Sequence, residues 1–211
     1  GSEGLLGVIT EVTVKILKSP EVVKAALIGF QSIEDAGNCV AQIIAEGCIP
    51  AGMEIMDKAL TKATNDYSKA GYPTDAEAMM IVEFDGTEHE VEAYIKKAKK
   101  IAEENNSSSL KVSKSNTERL KFWAGRKAAF PACGVLAPDY MCMDGSIPRG
   151  KLAEVLNEIT RLSKKYDLPV ANAFHAGDGN LHPLIMFDAN NKESLRKCEE
   201  FGADILKYCV K

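Results

Sequence analysis

The sequence lacks the features by which membrane-spanning and secreted proteins are recognised. It contains no run of about 18 apolar residues, which argues against a membrane-spanning helix. Its first residues, Gly-Ser-Glu-Gly, have neither the basic region nor the apolar core of a signal peptide. These absences predict a cytoplasmic protein.

Cysteine clusters and an excess of positive charge are also absent. The six cysteines form no Cys-x-x-Cys pair and lie in apolar segments, which is typical of reduced core residues rather than of a disulfide framework, an iron–sulfur cluster or a zinc finger. The formal net charge is −4, so the overall charge does not favour nucleic acid as a partner. We interpret the lysine-rich stretch at 96–100 as the solvated face of a helix.

What is present is the pattern of a mixed fold. The 211 residues, 45% of them hydrophobic, are enough to bury a full core. Strand and helix patterns follow the order β-α-β-β-α-β in the first half and β-α-β-β-α in the second. This order predicts an α+β fold of duplicated ferredoxin-like (split βαβ) units with an antiparallel sheet. We expect the missing last strand of the second unit just past Lys211, and an additional strand near residues 12–16.

The predicted elements can be assigned to residues. The predicted strands cover residues 22–30, 51–56, 78–84, 110–112, 137–147, 170–175 and 182–187. The predicted helices begin near Ser32, Lys58, Thr87, Asn116, Pro148 and Asn190.

Residues 173–183, Ala-Phe-His-Ala-Gly-Asp-Gly-Asn-Leu-His-Pro, contain two of the three histidines. Asp178-Gly179 predicts a two-residue type I′ hairpin turn, since both central positions of that turn need positive φ. His175 would then face His182, with Cβ atoms roughly 4.5–5.5 Å apart. Such a pair could bind one metal ion or one anionic group, although a purely structural pair of histidines is the alternative.

Arg126 is the second candidate for a binding residue. Trp123 lies three residues earlier on the same side of the predicted helix, so an aromatic ring and a guanidinium group could be presented together to a carboxylate. A solvated cation on a basic helix is the alternative. Tyr140 lies in a predicted strand, where it is either a packed aromatic residue or a ligand contact.

Four stretches carry a resemblance to a known family. They are residues 1–10 (Gly-Ser-Glu-Gly-Leu-Leu-Gly-Val-Ile-Thr), 122–130 (Phe-Trp-Ala-Gly-Arg-Lys-Ala-Ala-Phe), 138–149 (Pro-Asp-Tyr-Met-Cys-Met-Asp-Gly-Ser-Ile-Pro-Arg) and 175–182 (His-Ala-Gly-Asp-Gly-Asn-Leu-His). In them the chain resembles the FAD-linked 2-hydroxy-acid oxidases and D-lactate dehydrogenases, the family that includes the FAD subunits of bacterial glycolate oxidases.

The resemblance implies a division of the chain into two parts. Residues 1–18 would be the tail of an FAD-binding domain, with Gly1, Ser2, Glu3 and Gly4 in a loop near the flavin. Residues 19–211 would be the FAD-linked oxidase C-terminal domain, a cap that covers the flavin and selects the substrate, incomplete at its C-terminus.

The resemblance also implies an activity, the oxidation of a small 2-hydroxy acid (glycolate or D-lactate) to the 2-oxo acid with FAD. Arg126 and Tyr140 would bind the substrate, and His175 and His182 would bind a divalent metal (Zn, Mn or Fe). A third ligand and the base belong to a Gly-Glu-His-Gly motif that does not occur before Lys211, so the chain alone should be inactive. Phe130 and Cys142 replace a hydroxyl residue and a lysine of some relatives, which implies a smaller or less cationic pocket.

Partners follow from the same resemblance. It implies the iron–sulfur and second flavin-domain subunits of a glycolate oxidase complex, with peripheral attachment to the inner face of the membrane through that complex as an extension of the cytoplasmic location. The alternative to an enzyme is a non-catalytic ferredoxin-like module that binds a small carboxylate or mediates assembly.

Overall fold

The computed structural model describes residues 4–210, whose strands form one eight-stranded sheet in which every pairing is antiparallel. The strands are β1 (Val22–Phe30), β2 (Gly52–Asp57), β3 (Ala78–Gly86), β4 (Ser107–Val112), β5 (Asp139–Cys142), β6 (Gly145–Ser146), β7 (Val170–His175) and β8 (Asn180–Phe187). The helices are α1 (Ile33–Ala45), α2 (Lys58–Ser68), α3 (Glu88–Glu104), α4 (Asn116–Lys127), α5 (Ala129–Ala132), α6 (Leu152–Tyr166) and α7 (Lys192–Cys209).

The strand order confirms the predicted duplication. Across the sheet the order is β4-β1-β3-β2-β7-β8-β5, with β6 paired to β8. The first four strands have the order of a ferredoxin-like unit, and β7-β8-β5 repeat it in the opposite direction. The two units meet where β2 pairs with β7, with Glu54 opposite His175 and Met56 opposite Ala173.

Most helices begin at the polar residues that the sequence indicates. Ser32 accepts hydrogen bonds from the first turn of α1, and Thr87 and Glu90 form a complete capping box at α3. The last helix differs by one residue, because Asn191 rather than Asn190 caps α7. Pro148 precedes a short 3-10 turn, so α6 begins at Leu152.

The sheet has two unlike faces. The face covered by α1, α3, α6 and α7, here called the four-helix face, carries the larger apolar core. Its fully buried side chains include Phe30, Ile55, Phe174 and Phe201. The opposite face, covered by α2, α4 and α5 and here called the three-helix face, combines a smaller apolar cluster with buried charged side chains.

The predicted strand near residues 12–16 is wrong. Residues 8–20 form no regular element, and Val12, Val14 and Ile16 are exposed. An alternating β-branched pattern produces a strand only when a partner strand and a covering layer are available, and within residues 4–210 no strand pairs with this segment.

Three smaller expectations concern cysteines, membranes and the glycine loop. Cys39, Cys48, Cys133 and Cys198 are buried thiols, and burial raises the pKa of Cys39 to about 12. None of the helices within residues 4–210 combines the length and apolarity that crossing a membrane requires. Gly1, Ser2 and Glu3 lie outside the described residues, whereas Gly4 is exposed and has φ +77°.

Candidate functional site

The hairpin between β7 and β8 has a longer loop than predicted. The register places His175 opposite Asn180 and Ala173 opposite His182, so residues 176–179 form the loop. Asp178 N–H donates to the His175 carbonyl over 3.0 Å, and Gly179, with φ +72°, is the loop residue with positive φ. The two-residue type I′ turn is therefore wrong. Gly177 N–H donates to the Met53 carbonyl of β2, which ties the wider loop to the first unit.

His175 and His182 nevertheless share one face of the sheet. They occupy diagonal positions on the pair β7–β8 instead of opposing each other directly. Their ring centroids lie 5.0 Å apart and the rings are nearly perpendicular. The shared face that the sequence predicted is thus present, and it is the three-helix face, although the register that the prediction rested on is wrong.

Glu54 lies beside this histidine pair and was missed by the sequence analysis. Its register position on β2 is directly opposite His175, and Oε1 lies 2.6 Å from His175 Nδ1. Its other oxygen, Oε2, accepts from Arg126 Nε over 3.1 Å and lies 3.0 Å from Arg126 Nη2. One buried carboxylate therefore joins the two separately predicted candidates, Arg126 and His175.

Arg126 is held in a buried position in the last turn of α4. Only 7% of the residue is exposed. Nη2 is close to Glu54 but makes no hydrogen bond of acceptable geometry, so a buried donor remains unsatisfied at this point. An unsatisfied buried guanidinium donor is the kind of group that a ligand carboxylate completes.

Gly125 allows α4 to approach closely enough for this placement. A Cβ atom at position 125 would lie 2.2 Å from the Tyr72 hydroxyl and 2.7 Å from the Ala70 methyl group. The same hydroxyl donates to the Phe122 carbonyl. The glycine in the Trp-Ala-Gly-Arg stretch is thus required by packing.

Trp123 does not accompany Arg126 as predicted. Its Nε1–H donates to Glu83 of β3 over 2.5 Å, and Arg119 donates to the same Glu83 oxygen over 2.9 Å. The ring also packs against Gly52, where a Cβ atom would lie 3.1 Å away. Trp123 therefore anchors α4 to the sheet, and the interpretation that it presents an aromatic surface beside Arg126 is wrong.

His182 interacts electrostatically with the charged side chains around it and with His175. Its Nδ1 is 3.8 Å from Asp144 Oδ1. Burial lowers the pKa of His182, and His175 and Arg126 act in the same direction, whereas Asp144 and Glu54 oppose the shift. A lowered pKa favours the neutral imidazole, which is the form that can accept a proton or ligate a metal.

Tyr140 lies further along the same face. It is opposite Met186 on β8, four residues from His182, which corresponds to about 13 Å along a strand. The centroid of its ring lies 6.2 Å from that of Phe130. The Tyr140 residue as a whole is 37% exposed. Tyr140 and Phe130 form an aromatic pair beside the histidines rather than among them.

Only part of the predicted metal site is found among the described residues. Among the residues described, 4–210, no group of three or more His, Cys, Asp or Glu side chains converges in a way that could hold a metal ion. The donor chemistry fits the imidazole part of such a site, because a carboxylate behind Nδ1 commonly orients a metal-binding histidine. His175 and His182 would supply two ligands, and the set is incomplete.

Comparisons with known proteins give a family match and several relatives. The family of the "FAD linked oxidases, C-terminal domain" matches residues 19–211. "Glycolate oxidase subunit GlcD" of Escherichia coli (strain K12) is 51% identical over 210 residues, which cover 100% of this chain and 42% of that protein. The mitochondrial "D-lactate dehydrogenase (cytochrome)" of Arabidopsis thaliana is 31% identical over 204 residues, covering 96% of this chain and 36% of that protein.

A solved structure extends the comparison to the fold. An alkyldihydroxyacetonephosphate synthase matches with a TM-score of 0.69 at 17% identity, over 100% of this chain and 43% of that chain. At this identity the likeness shows the fold alone. The chain spans less than half the length of each of these proteins.

Proposed function

The chain belongs to the C-terminal domain family of the FAD-linked oxidases, and on that basis we propose that it is the cap and substrate domain of an FAD-dependent oxidoreductase. The reaction is the oxidation of a small 2-hydroxy acid, glycolate or D-lactate, to the 2-oxo acid. Residues 1–18 form the tail of the FAD-binding domain, with Gly1, Ser2, Glu3 and Gly4 near the flavin. Residues 19–211 form the cap. The names of the GlcD and D-lactate dehydrogenase relatives support this choice of substrate class.

The observation that carries the proposal is the convergence of Arg126, Glu54, His175 and His182 on one face of the sheet. A 2-hydroxy acid has a carboxylate and a hydroxyl group on adjacent carbons. Arg126 offers a buried, unsatisfied donor for the carboxylate. The two imidazoles, with ring centroids 5.0 Å apart, lie on the same face to receive the hydroxyl end.

The chain's own residues bind and orient the substrate. Arg126 holds the carboxylate, and Tyr140, whose ring lies beside Phe130 further along the same face, is the second substrate contact of the proposal. The neutral form of His182, favoured by its lowered pKa, does not repel a divalent metal or compete with Arg126 for the anion. We assign the base that accepts the hydroxyl proton to none of the described residues, 4–210.

Two bound groups complete the chemistry. FAD, when bound, would supply the hydride acceptor, and a divalent metal (Zn, Mn or Fe) would supply the positive charge that lowers the pKa of the hydroxyl group. His175 and His182 would be two of the metal ligands. In this role Glu54 would fix the orientation of the His175 ring.

The proposal extends to partners and location. We propose assembly with the iron–sulfur and second flavin-domain subunits of a glycolate oxidase complex, in the cytoplasm, with attachment to the inner face of the membrane through that complex. The word "subunit" in the name of the GlcD relative supports a complex.

The test of the carboxylate role is Arg126→Ala in the complete protein that carries this chain. The expected loss in kcat/KM with glycolate or D-lactate is about 10–150-fold, because a hydrogen bond to a charged group contributes about 1.5–3 kcal/mol. Arg119→Ala is the matched control, since Arg119 is also on α4 and pairs with a glutamate on the same face. Unchanged kcat/KM in Arg126→Ala would refute the assignment.

Metal analysis tests the histidine role. His175→Ala and His182→Ala should each lower the metal content of the purified complete protein, while His89→Ala, an exposed position on α3, should not. Equal metal content in all four proteins would exclude the two histidines as ligands.

A further inference from the structure

We propose that Glu54 is a positioning residue that fixes the orientation of the His175 ring and the presented edge of Arg126 together. This inference rests on the proposed function for its kinetic consequence, although its structural part can be tested without turnover. Neither the hairpin stretch nor the basic helix indicates Glu54, which lies 121 residues from His175 and 72 from Arg126 in the sequence.

The two oxygens of Glu54 have different partners. Oε2 takes the Nε edge of Arg126, at 3.1 Å from Nε and 3.0 Å from Nη2. Oε1 lies 2.6 Å from His175 Nδ1. Because one rigid carboxylate makes both contacts, the positions of the guanidinium group and the imidazole are fixed relative to each other.

For His175 the consequence concerns the proton. Of the two groups in this contact, we assign the carboxylate of Glu54 as the acceptor and His175 Nδ1–H as the donor. With the donor proton on Nδ1, Nε2 is the ring nitrogen that faces away from Glu54. Since 44% of the His175 side chain is exposed while 11% of the Glu54 side chain is, the contact buries the carboxylate and leaves part of the ring accessible.

For Arg126 the consequence concerns direction. With Nε–H donated to Glu54 Oε2 and one side of Nη2 facing the same oxygen, a substrate carboxylate can approach the guanidinium group only from the side of Nη1 and the outer Nη2–H. Glu54 also compensates the buried charge of Arg126, which would otherwise be costly. The site consequently offers a narrow, oriented donor instead of a diffuse positive charge, which suits one small carboxylate.

Glu83 provides the internal contrast. It lies on the neighbouring strand β3, opposite Gly52, on the same three-helix face. Its partners, Arg119 and Trp123, are both on α4, and both donate to the same oxygen. Glu83 thus attaches a helix to the sheet, whereas Glu54 connects that helix to a histidine of the other ferredoxin-like unit.

The decisive variant is Glu54→Gln in the complete protein. A glutamine has one acceptor and one donor end, and arginine has only donors, so the amide oxygen must face Arg126 and the amide N–H must face His175. A neutral histidine can adapt by accepting at Nδ1, which moves its proton to Nε2. We therefore expect His175 to change tautomer in Glu54→Gln and to keep the Nδ1–H form in the matched control Glu83→Gln.

The measurement is the imidazole nitrogen NMR spectrum of the metal-free complete protein with labelled histidine, in which His175→Gln assigns the signal. In parallel, Glu54→Gln should lower kcat/KM for the 2-hydroxy acid about 10–100-fold, the usual effect of removing a group that orients a ligand. Glu83→Gln should leave kcat/KM unchanged. Persistence of the Nδ1–H form in Glu54→Gln, or equal losses of kcat/KM in the two variants, would overturn the inference.

A second variant keeps the test decisive if Glu54→Gln does not fold. Glu54→Asp retains the negative charge but is shorter by one carbon–carbon bond of about 1.5 Å, so it cannot reach both partners. It should still fold, because the negative charge beside Arg126 is retained, and it should lose kcat/KM about 10–100-fold; full activity would overturn the inference. If the unmodified protein oxidises no 2-hydroxy acid, the proposed function fails, and the tautomer of His175 still decides the role of Glu54.

Discussion

The two faces of the central sheet are built from the same strands but have different tasks. On the four-helix face, the neighbouring strands β2 and β7 contribute Ile55 and Phe174, which are fully buried among apolar side chains. One residue away along the same strands, Glu54 and His175 project onto the three-helix face and make a polar contact. The period of two in a strand thus places the apolar core and the candidate site back to back.

The contrast also appears in the buried ion pairs. The three-helix face has close approaches such as Gly125 against Tyr72, and buried pairs such as Arg126 with Glu54. Buried ion pairs of this kind add little to stability on average, since the cost of removing the two charges from water offsets much of their attraction. They add precision to the position of α4, which a binding site needs more than a core does.

The largest expected effect is on the apolar side of this contrast. Phe174→Ala should lower the free energy of unfolding by about 3–5 kcal/mol, because it removes a fully buried aromatic ring and leaves a cavity. His175→Ala, at the next residue on the opposite face, should cost much less because its side chain is partly exposed. Chemical denaturation of both variants checks this, and equal losses would contradict the division into two faces.

The second effect concerns Asp57, a carboxylate at the end of β2. Its carboxylate accepts from Leu60 N–H and from the backbone and side chain of Asn172, yet burial raises its pKa from 3.8 to about 6. The folded protein therefore binds more protons than the unfolded chain between these pH values. The stabilising contribution is complete below pH 3.8 and is lost as the pH rises through about 6.

The magnitude of this pH effect is on the order of 3 kcal/mol. The unfolding free energy of the wild type minus that of Asp57→Asn should fall as the pH is raised across that window and be constant above it. Denaturant titrations at several pH values measure the difference. A difference that does not change with pH would show that Asp57 keeps an ordinary pKa in the folded protein.

The third effect tests the close approach of α4. Gly125→Ala should destabilise the protein by about 1–3 kcal/mol through overpacking against Tyr72 and Ala70. It should also lower kcat/KM of the complete protein, because Arg126 is the next residue. Gly134→Ala is the control, since a Cβ atom there has no neighbour within 4 Å. Full stability and activity in Gly125→Ala would show that the helix can move without consequence.

The smallest effect compares one helix cap from each face. Thr87→Ala removes the capping box of α3, and Ser115→Ala removes the side-chain cap of α4. Each should lower the unfolding free energy by about 1 kcal/mol. Denaturation measures both losses. Similar losses would show that the two faces differ in the side chains that pack on the sheet and not in how their helices begin. A loss confined to one of the two variants would contradict that conclusion.

Much of the fold could be predicted from local patterns. The duplicated ferredoxin-like order follows from alternating strand and helix periods, and the Thr87 capping box marks the start of α3 correctly. Local patterns failed where distant contacts decide. The β7–β8 loop is wider than Asp178-Gly179 suggests, and its Gly177 is bound to Met53. The strand predicted near Val12 has no partner among residues 4–210.

The candidate site shows the same limit. His175, His182 and Arg126 were recognisable by residue type and spacing, but Glu54 was not. A single glutamate among Met53, Ile55 and Met56 marks only an alternating strand. Its meaning depends on the pairing of β2 with β7, which joins the two ferredoxin-like units and is not visible in either one.

The most direct test of the account is the reduction of the flavin by substrate in the absence of oxygen. Adding D-lactate or glycolate to the complete protein should bleach the flavin absorbance, and Arg126→Ala should need a much higher substrate concentration, whereas Arg119→Ala should behave as the wild type. Two results would contradict the assignment of the three-helix face as the substrate site. One is that the flavin of Arg126→Ala bleaches at the wild-type rate and at the same substrate concentration as the wild type. The other is that neither acid bleaches the flavin of the wild type.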